Sequence, residues 1–123
     1  MADEIRDYRD LLIWQKAMDF TLEVYLLTKQ FPREERFALT SQLRRSSVSV
    51  PSNIAEGHAR QGNEFASYLS IARGSLAEAE TQLLLAAKVG YIHREEINKA
   101  LGLAEEIKRM AASLTMKLRN SRH

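Results

Sequence analysis

Apolar positions recur at helical spacing in four long segments, separated by short stretches rich in Gly, Pro and charge. The first runs from about 11 to 29 and stops at Phe31-Pro32. At 100° per residue, Leu11, Trp14, Met18, Leu22 and Tyr25 fall on one side, and Ile13, Ala17, Phe20, Val24 and Leu27 on another. Only a wedge around Lys16, Asp19 and Glu23 is polar. The second segment covers about 33–60, with Pro32 at its start and Glu34 and Glu35 suited to the positive end of a helix. It holds Leu39, Leu43, Val50 and Ile54, an unusual density of Ser and Thr, and an interior Pro51 that should bend it or break its ladder. The third, about 63–89, has an Asn63 cap and the seam Phe65, Leu69, Ala72, Leu76, Ala79, Leu83, Ala86. The fourth, about 94–119, carries Ile97, Ala100, Ala104, Ile107, Ala111, Leu114 and Leu118. Residues 1–10 read as a charged arm with an N-cap at Asp10 or, as the alternative, Asp7, and residues 120–123 as a basic tail.

Four such segments predict an all-α protein, an antiparallel up-down four-helix bundle in one domain. A helix apolar on two faces must be covered on two faces, and one bundle covers only one of them. Self-association is therefore expected, and Ile13, Phe20, Val24 and Leu27 are the interface candidates.

Composition narrows the chemistry. With 123 residues, 45% apolar and 28% charged, the chain suits a single globular core. Cysteine is absent, which removes disulfides and thiolate chemistry and fits a cytoplasmic location. The first residues carry no apolar run like a secretory signal, and the longest apolar stretches, such as Leu83 to Ala87, are far shorter than a membrane span. His58, His93 and His123 stand in a connection, a turn and the terminus, without the Glu-x-x-His or His-x-x-x-His spacing of helical metal sites. No phosphate loop or nucleophile elbow is present. No catalytic residue, metal or cofactor is expected, and the reading is of a protein that is not an enzyme.

Two sets of polar residues remain. Gln42, Ser46, Ser49, Asn53 and Glu56 are spaced 4, 3, 4 and 3, which lines them along one stripe of the second helix. Short Ser and Asn side chains compete with the backbone and suit a wet helix face poorly. A buried network that fixes helix register is the leading reading; a solvated face and a ligand or nucleic-acid site are the alternatives. The second set is basic. Net charge is only +2, yet Lys108 to His123 holds five Lys or Arg and no acid. Those cations either contact phosphate or complement the helix dipole. Arg33, Arg36, Arg44, Arg45 and Arg60, with Lys117, Arg119 and Arg122, are the nucleic-acid candidates; the alternative is pairing with neighbouring acids such as Glu34 and Glu35.

The run from Phe31 to Gly57, above all Ser49-Val-Pro-Ser-Asn53-Ile-Ala-Glu56-Gly57, closely resembles the four-helix-bundle proteins encoded in intervening sequences of bacterial 23S rRNA genes. Leu11 to Trp14, Phe65, Tyr68-Leu69, Ile71-Ala72, Gly74-Ser75 and Glu78 also match, so the resemblance covers roughly 8–118. Members commonly carry alanine where this chain has Ser46 or Ser47, a small departure. The resemblance implies an antiparallel bundle assembling as a ring, a homopentamer. It also implies kinship with the basic, nucleic-acid-binding accessory protein of diversity-generating retroelements. The function expected is a non-enzymatic oligomer that binds structured RNA, or RNA and DNA, through basic residues. The alternative is an interaction or scaffold oligomer with a protein partner and no nucleic-acid activity. No membrane partner is expected.

Overall fold

A computed structural model of the chain describes residues 4–121. Among them are four α-helices and no strand: α1 (Leu12–Thr28), α2 (Leu39–Arg60), α3 (Gly62–Lys88) and α4 (Asn98–Asn120). Single 3-10 turns at Tyr8–Asp10, Arg33–Glu35 and Arg94–Ile97 precede α1, α2 and α4. The first is capped by Asp7, whose carboxylate accepts from the Arg9 N–H, with Asp10 returning to the Asp7 N–H. Both candidate caps thus serve one box, one turn earlier than α1 itself.

The α3 seam predicted from spacing is buried in full, from Phe65 to Ala86. Its three leucines, Leu69, Leu76 and Leu83, are wholly inaccessible, each worth about 1.5–3 kcal/mol of transfer. In α4 the seam is buried from Ile97 to Ala111, while Leu114 and Leu118 are half-buried. Each helix packs against two others, α1 on α2 and α4, and α3 on α2 and α4. Cross-helix pairs fix the register. Lys16 meets Glu106 at 3.2 Å and Lys99 meets Glu23 at 3.4 Å, so the partner number in α4 falls as the number in α1 rises. The polar wedge of α1 is therefore its seam with α4.

Helix α2 begins at Leu39, later than the 33 that local pattern suggests. Long-range contacts take Glu35 out of a helical first turn. Its carboxylate accepts the Tyr91 hydroxyl at 2.6 Å and the Leu39 N–H at 3.1 Å, which ties the α1–α2 and α3–α4 connections together. These two donors, Tyr91 first, hold the Glu35 carboxyl below the usual carboxylate range.

Pro51 lies inside α2, which is continuous through it. Lacking an N–H, it leaves the Ser47 carbonyl without its helical donor. Thr21 of α1 supplies one: its hydroxyl lies 2.9 Å from Ser47 O and 3.0 Å from Ala17 O. At the far end, Gly57 lets α2 and α3 touch. A Cβ there would lie 2.6 Å from Tyr68 Cβ and 2.9 Å from Phe65 Cδ1. Three residues later α2 ends, and Gln61, at φ 62°, turns the chain directly into α3.

Thr21→Val should destabilise the protein by about 1–3 kcal/mol, because a buried carbonyl is deprived of its donor. In a Pro51→Ala background, where an N–H is restored, that loss should shrink; equal losses in both backgrounds by chemical denaturation would refute the link. Gly57→Ala should cost about 1–3 kcal/mol through overpacking, seen as a lower denaturation midpoint with little change in helicity at low denaturant.

Candidate functional site

Helix α2 presents its polar side chains on two flanks. Towards α3, the single Ser46 hydroxyl lies 2.8 Å from Gln82 Oε1 and 3.1 Å from Leu43 O, and its one proton is shared between them. Ser49 and Ser75 share a hydrogen bond of 2.8 Å, and Asn53 donates to Ser49 O and Oγ at 2.8 and 2.9 Å. These three residues of the predicted stripe form a part-buried network across the α2–α3 seam. The two ends of the stripe do not join it. Glu56 is exposed and pairs with Arg60 at 2.9 Å, and Gln42 is exposed beside a shallow cleft that also takes in Arg45 and Glu78. The hydrogen-bonded network thus takes in the middle of the stripe, while Gln42 and Glu56 are exposed and make no bond to it.

The other flank of α2 borders α1 and forms a groove of about 640 Å³. Its walls are Tyr25 from α1 and Arg36, Phe37, Thr40, Ser41, Arg44, Arg45, Val48 and Ser49 from α2 and its approach. Arg44 is held from two sides: Nε donates to Thr28 Oγ1 at 2.8 Å, and the guanidinium lies 4.6 Å from the Tyr25 ring centroid. A guanidinium over an aromatic face is attracted by the ring quadrupole, so its position is pre-set. Arg36 lies 5.2 Å from the centroid of Phe37, and Phe37 is 88% exposed. No carboxylate lines the groove. Among the described residues, Arg36, Arg44 and Arg45 form no ion pair.

The other predicted basic residues lie elsewhere. Arg33 is exposed in the 3-10 turn ahead of α2 and does not line the groove. Arg60 closes α2, 16 residues beyond Arg44 and so roughly 24 Å away along the axis. It is neutralised by Glu56 and Glu64, at 2.9 and 3.3 Å. Lys117 and Arg119 are exposed in the last turn of α4. There Lys117 borders a mainly apolar cleft with Arg109 and the start of α1, about 20 Å along α1 from the Tyr25 wall. Arg122 lies outside the described residues. One combined basic surface running from Arg44 to Arg119 is thus not formed within the chain; Arg36, Arg44 and Arg45 are the group brought together.

The interface candidates need correction. Ile13, Phe20, Val24 and Leu27 are core residues at 0–5% exposure, packed inside the chain's own bundle. The outward face of α1 holds Met18 and Leu22 of the other stripe together with Leu26, at 44%, 58% and 47% exposure, whereas Leu11 and Trp14 of that stripe pack against the core. Both faces are equally apolar in sequence. Hydrogen bonding selects between them, because Thr21 and Thr28 beside the buried stripe bond to Ser47 and Arg44 of α2.

Sequence reasoning missed Tyr25, Thr28 and Phe37 as parts of the site. The signal was there in the Arg36-Phe37 pair just ahead of α2 and in the 3-4 spacing of Ser41, Arg44 and Val48, which sets these three on one flank of the helix. Among the described residues there is no cluster of three metal-ligating side chains, and no helix is long and apolar enough to cross a membrane.

Comparison with known proteins adds a family. The description "23S rRNA-intervening sequence protein" matches residues 9–113. A solved structure, a protein of unknown function from the S23 ribosomal protein family of Bacteroides thetaiotaomicron, is similar at 27% identity and a TM-score of 0.77. The similarity covers 85% of this chain and 98% of that one. No curated protein matches.

Proposed function

Since the chain belongs to the family of 23S rRNA-intervening sequence proteins, we propose that it is a non-enzymatic, cytoplasmic, ring-like homo-oligomer of antiparallel four-helix bundles that binds nucleic acid. The descending register of the α1–α4 ion pairs supports the antiparallel arrangement. The outward stripe of Met18, Leu22 and Leu26 supplies a face that a second copy covers. The family resemblance supports five copies in that ring.

The observation that carries nucleic-acid binding is the groove with Arg36, Arg44 and Arg45 and no carboxylate. Guanidinium forks match phosphate oxygens in geometry as well as charge. Repeated around a ring, a weak site gains by effective concentration. Binding should therefore be weakly sequence-specific and fall steeply with salt. The second reading, a scaffold oligomer with a protein partner, draws on the same apolar stripe and needs none of the arginines.

Titration of labelled structured RNA and duplex DNA across a salt series separates the two. The Arg44→Ala/Arg45→Ala variant should bind more weakly, and its log–log salt slope should fall by about one for each phosphate that is no longer neutralised. Wild-type-like binding by that variant would remove the groove from the function, and no binding by the parent protein at low salt would favour the scaffold.

Assembly has its own test. Leu22→Glu should leave a folded protein of lower mass by light scattering, whereas Phe20→Glu, which places a charge in the core, should unfold it. An unchanged oligomer in Leu22→Glu would exclude the outward stripe as the interface.

A further inference from the structure

Phosphate contacts explain the arginines of the α1–α2 groove but not Phe37. A phenylalanine 88% exposed gives up nearly all of the burial energy that a ring of its size can provide. It stands in the wall of the groove, next in sequence to Arg36, whose guanidinium lies 5.2 Å from its centroid. Arg44 is pinned nearby through Nε and the Tyr25 ring, and the bond to Thr28 does not consume the two terminal amino groups of its fork. The groove therefore offers an exposed aromatic ring beside the fixed Arg44 fork and the Ser41 hydroxyl, with no carboxylate in its lining to repel an anion. That combination suits a ligand that joins a flat aromatic ring to a phosphate.

Resting on the nucleic-acid reading above, we propose that this groove takes an unpaired nucleotide of a single-stranded segment. The base stacks on Phe37, and the flanking phosphates meet Arg44 and Arg45. Paired bases are stacked inside a helix and expose no ring face, so a duplex can use the arginines but not Phe37. An unstacked base can use both, and stacking tolerates any base, because every base has a π-face. The chemistry selects strand state over sequence: loops, bulges and single-stranded ends in place of regular helix.

The test uses the full chain, a labelled twelve-nucleotide single strand of mixed sequence, and the blunt duplex formed from it. The single strand should bind at least about ten-fold more tightly than the duplex at equal salt. Phe37→Ala should lower single-strand affinity by roughly ten-fold while leaving duplex affinity and both salt slopes unchanged. Phe37→Trp should retain affinity, and its added tryptophan emission should be quenched by the single strand. Because Phe37 is exposed, none of these variants challenges the fold.

If Phe37→Ala binds the single strand as the parent does while Arg44→Ala/Arg45→Ala binds neither ligand, the stacking site is refuted and the nucleic-acid reading stands. If neither ligand binds the parent, both fall. A drop in mass on light scattering for Phe37→Ala would overturn the inference too, since Phe37 would then be covered by a second copy. Polyglutamate displacing the single strand as well as unlabelled strand does would overturn it by showing that negative charge suffices.

Discussion

A proline on the buried side of α2 leaves a carbonyl without a helical donor, and the arrangement of α1 and α2 satisfies that carbonyl. Ser47 O faces a position four residues on where Pro51 has no N–H, and Thr21 of α1 donates to it at 2.9 Å. One bond of this kind fixes the rotation of α1 about its axis. With Thr21 turned to α2, the stripe from Ile13 to Leu27 faces the core and the stripe of Met18, Leu22 and Leu26 faces outward. The same rotation brings Tyr25 and Thr28 to Arg44. The groove and the outward apolar face both belong to the rotation of α1 at which that hydrogen bond forms and the Ile13 to Leu27 stripe is buried.

On the opposite flank of α2 a different constraint operates. Ser46 and Ser49 bond across to Gln82 and Ser75 of α3, Asn53 braces Ser49 from within α2, and Gly57 permits a contact with Tyr68 and Phe65 that no Cβ could share. Small and hydroxyl-bearing side chains keep the two backbones close while satisfying the polar atoms that closeness buries. The serine-rich composition of α2 looks unfavourable by helix propensity alone. Its low intrinsic preference is offset by neighbours on both sides, an instance of tertiary packing deciding what a local sequence does.

What was legible in the sequence divides along the same line. The α3 seam could be read residue by residue, because one stripe alternates large and small apolar side chains and its flanks do not compete with it. The two faces of α1 could not be ranked, since both are apolar and the deciding partner, Ser47 O, is 26 positions away. The start of α2 was misplaced because Tyr91, from a connection 56 residues distant, claims the carboxylate of Glu35. In the site, the arginines announced themselves by type. Phe37 did not, since an aromatic in an apolar pattern is ordinarily core, and only its exposure gives it another meaning.

Charge makes a related point about scale. The formal net charge of +2 suggests little affinity for a polyanion. Yet the cations are not equally available. Arg6, Arg9, Lys16, Arg60, Lys99 and Lys108 all lie against carboxylates within 4 Å, and Lys16, Lys99 and Lys108 use that contact to join one helix to another. Arg36 and Arg44 stand instead against rings and a hydroxyl, and Arg45 borders both this groove and the cleft that holds Glu78 without an ion pair to it. A ring lends no compensating charge, so these guanidiniums keep their full attraction for an anion in solution. The potential that a ligand meets is set by what remains after pairing. In this chain Arg36, Arg44 and Arg45 are three of the cations left without an ion pair, and their grouping on one flank of α2 gives that groove more positive character than a net charge of +2 suggests.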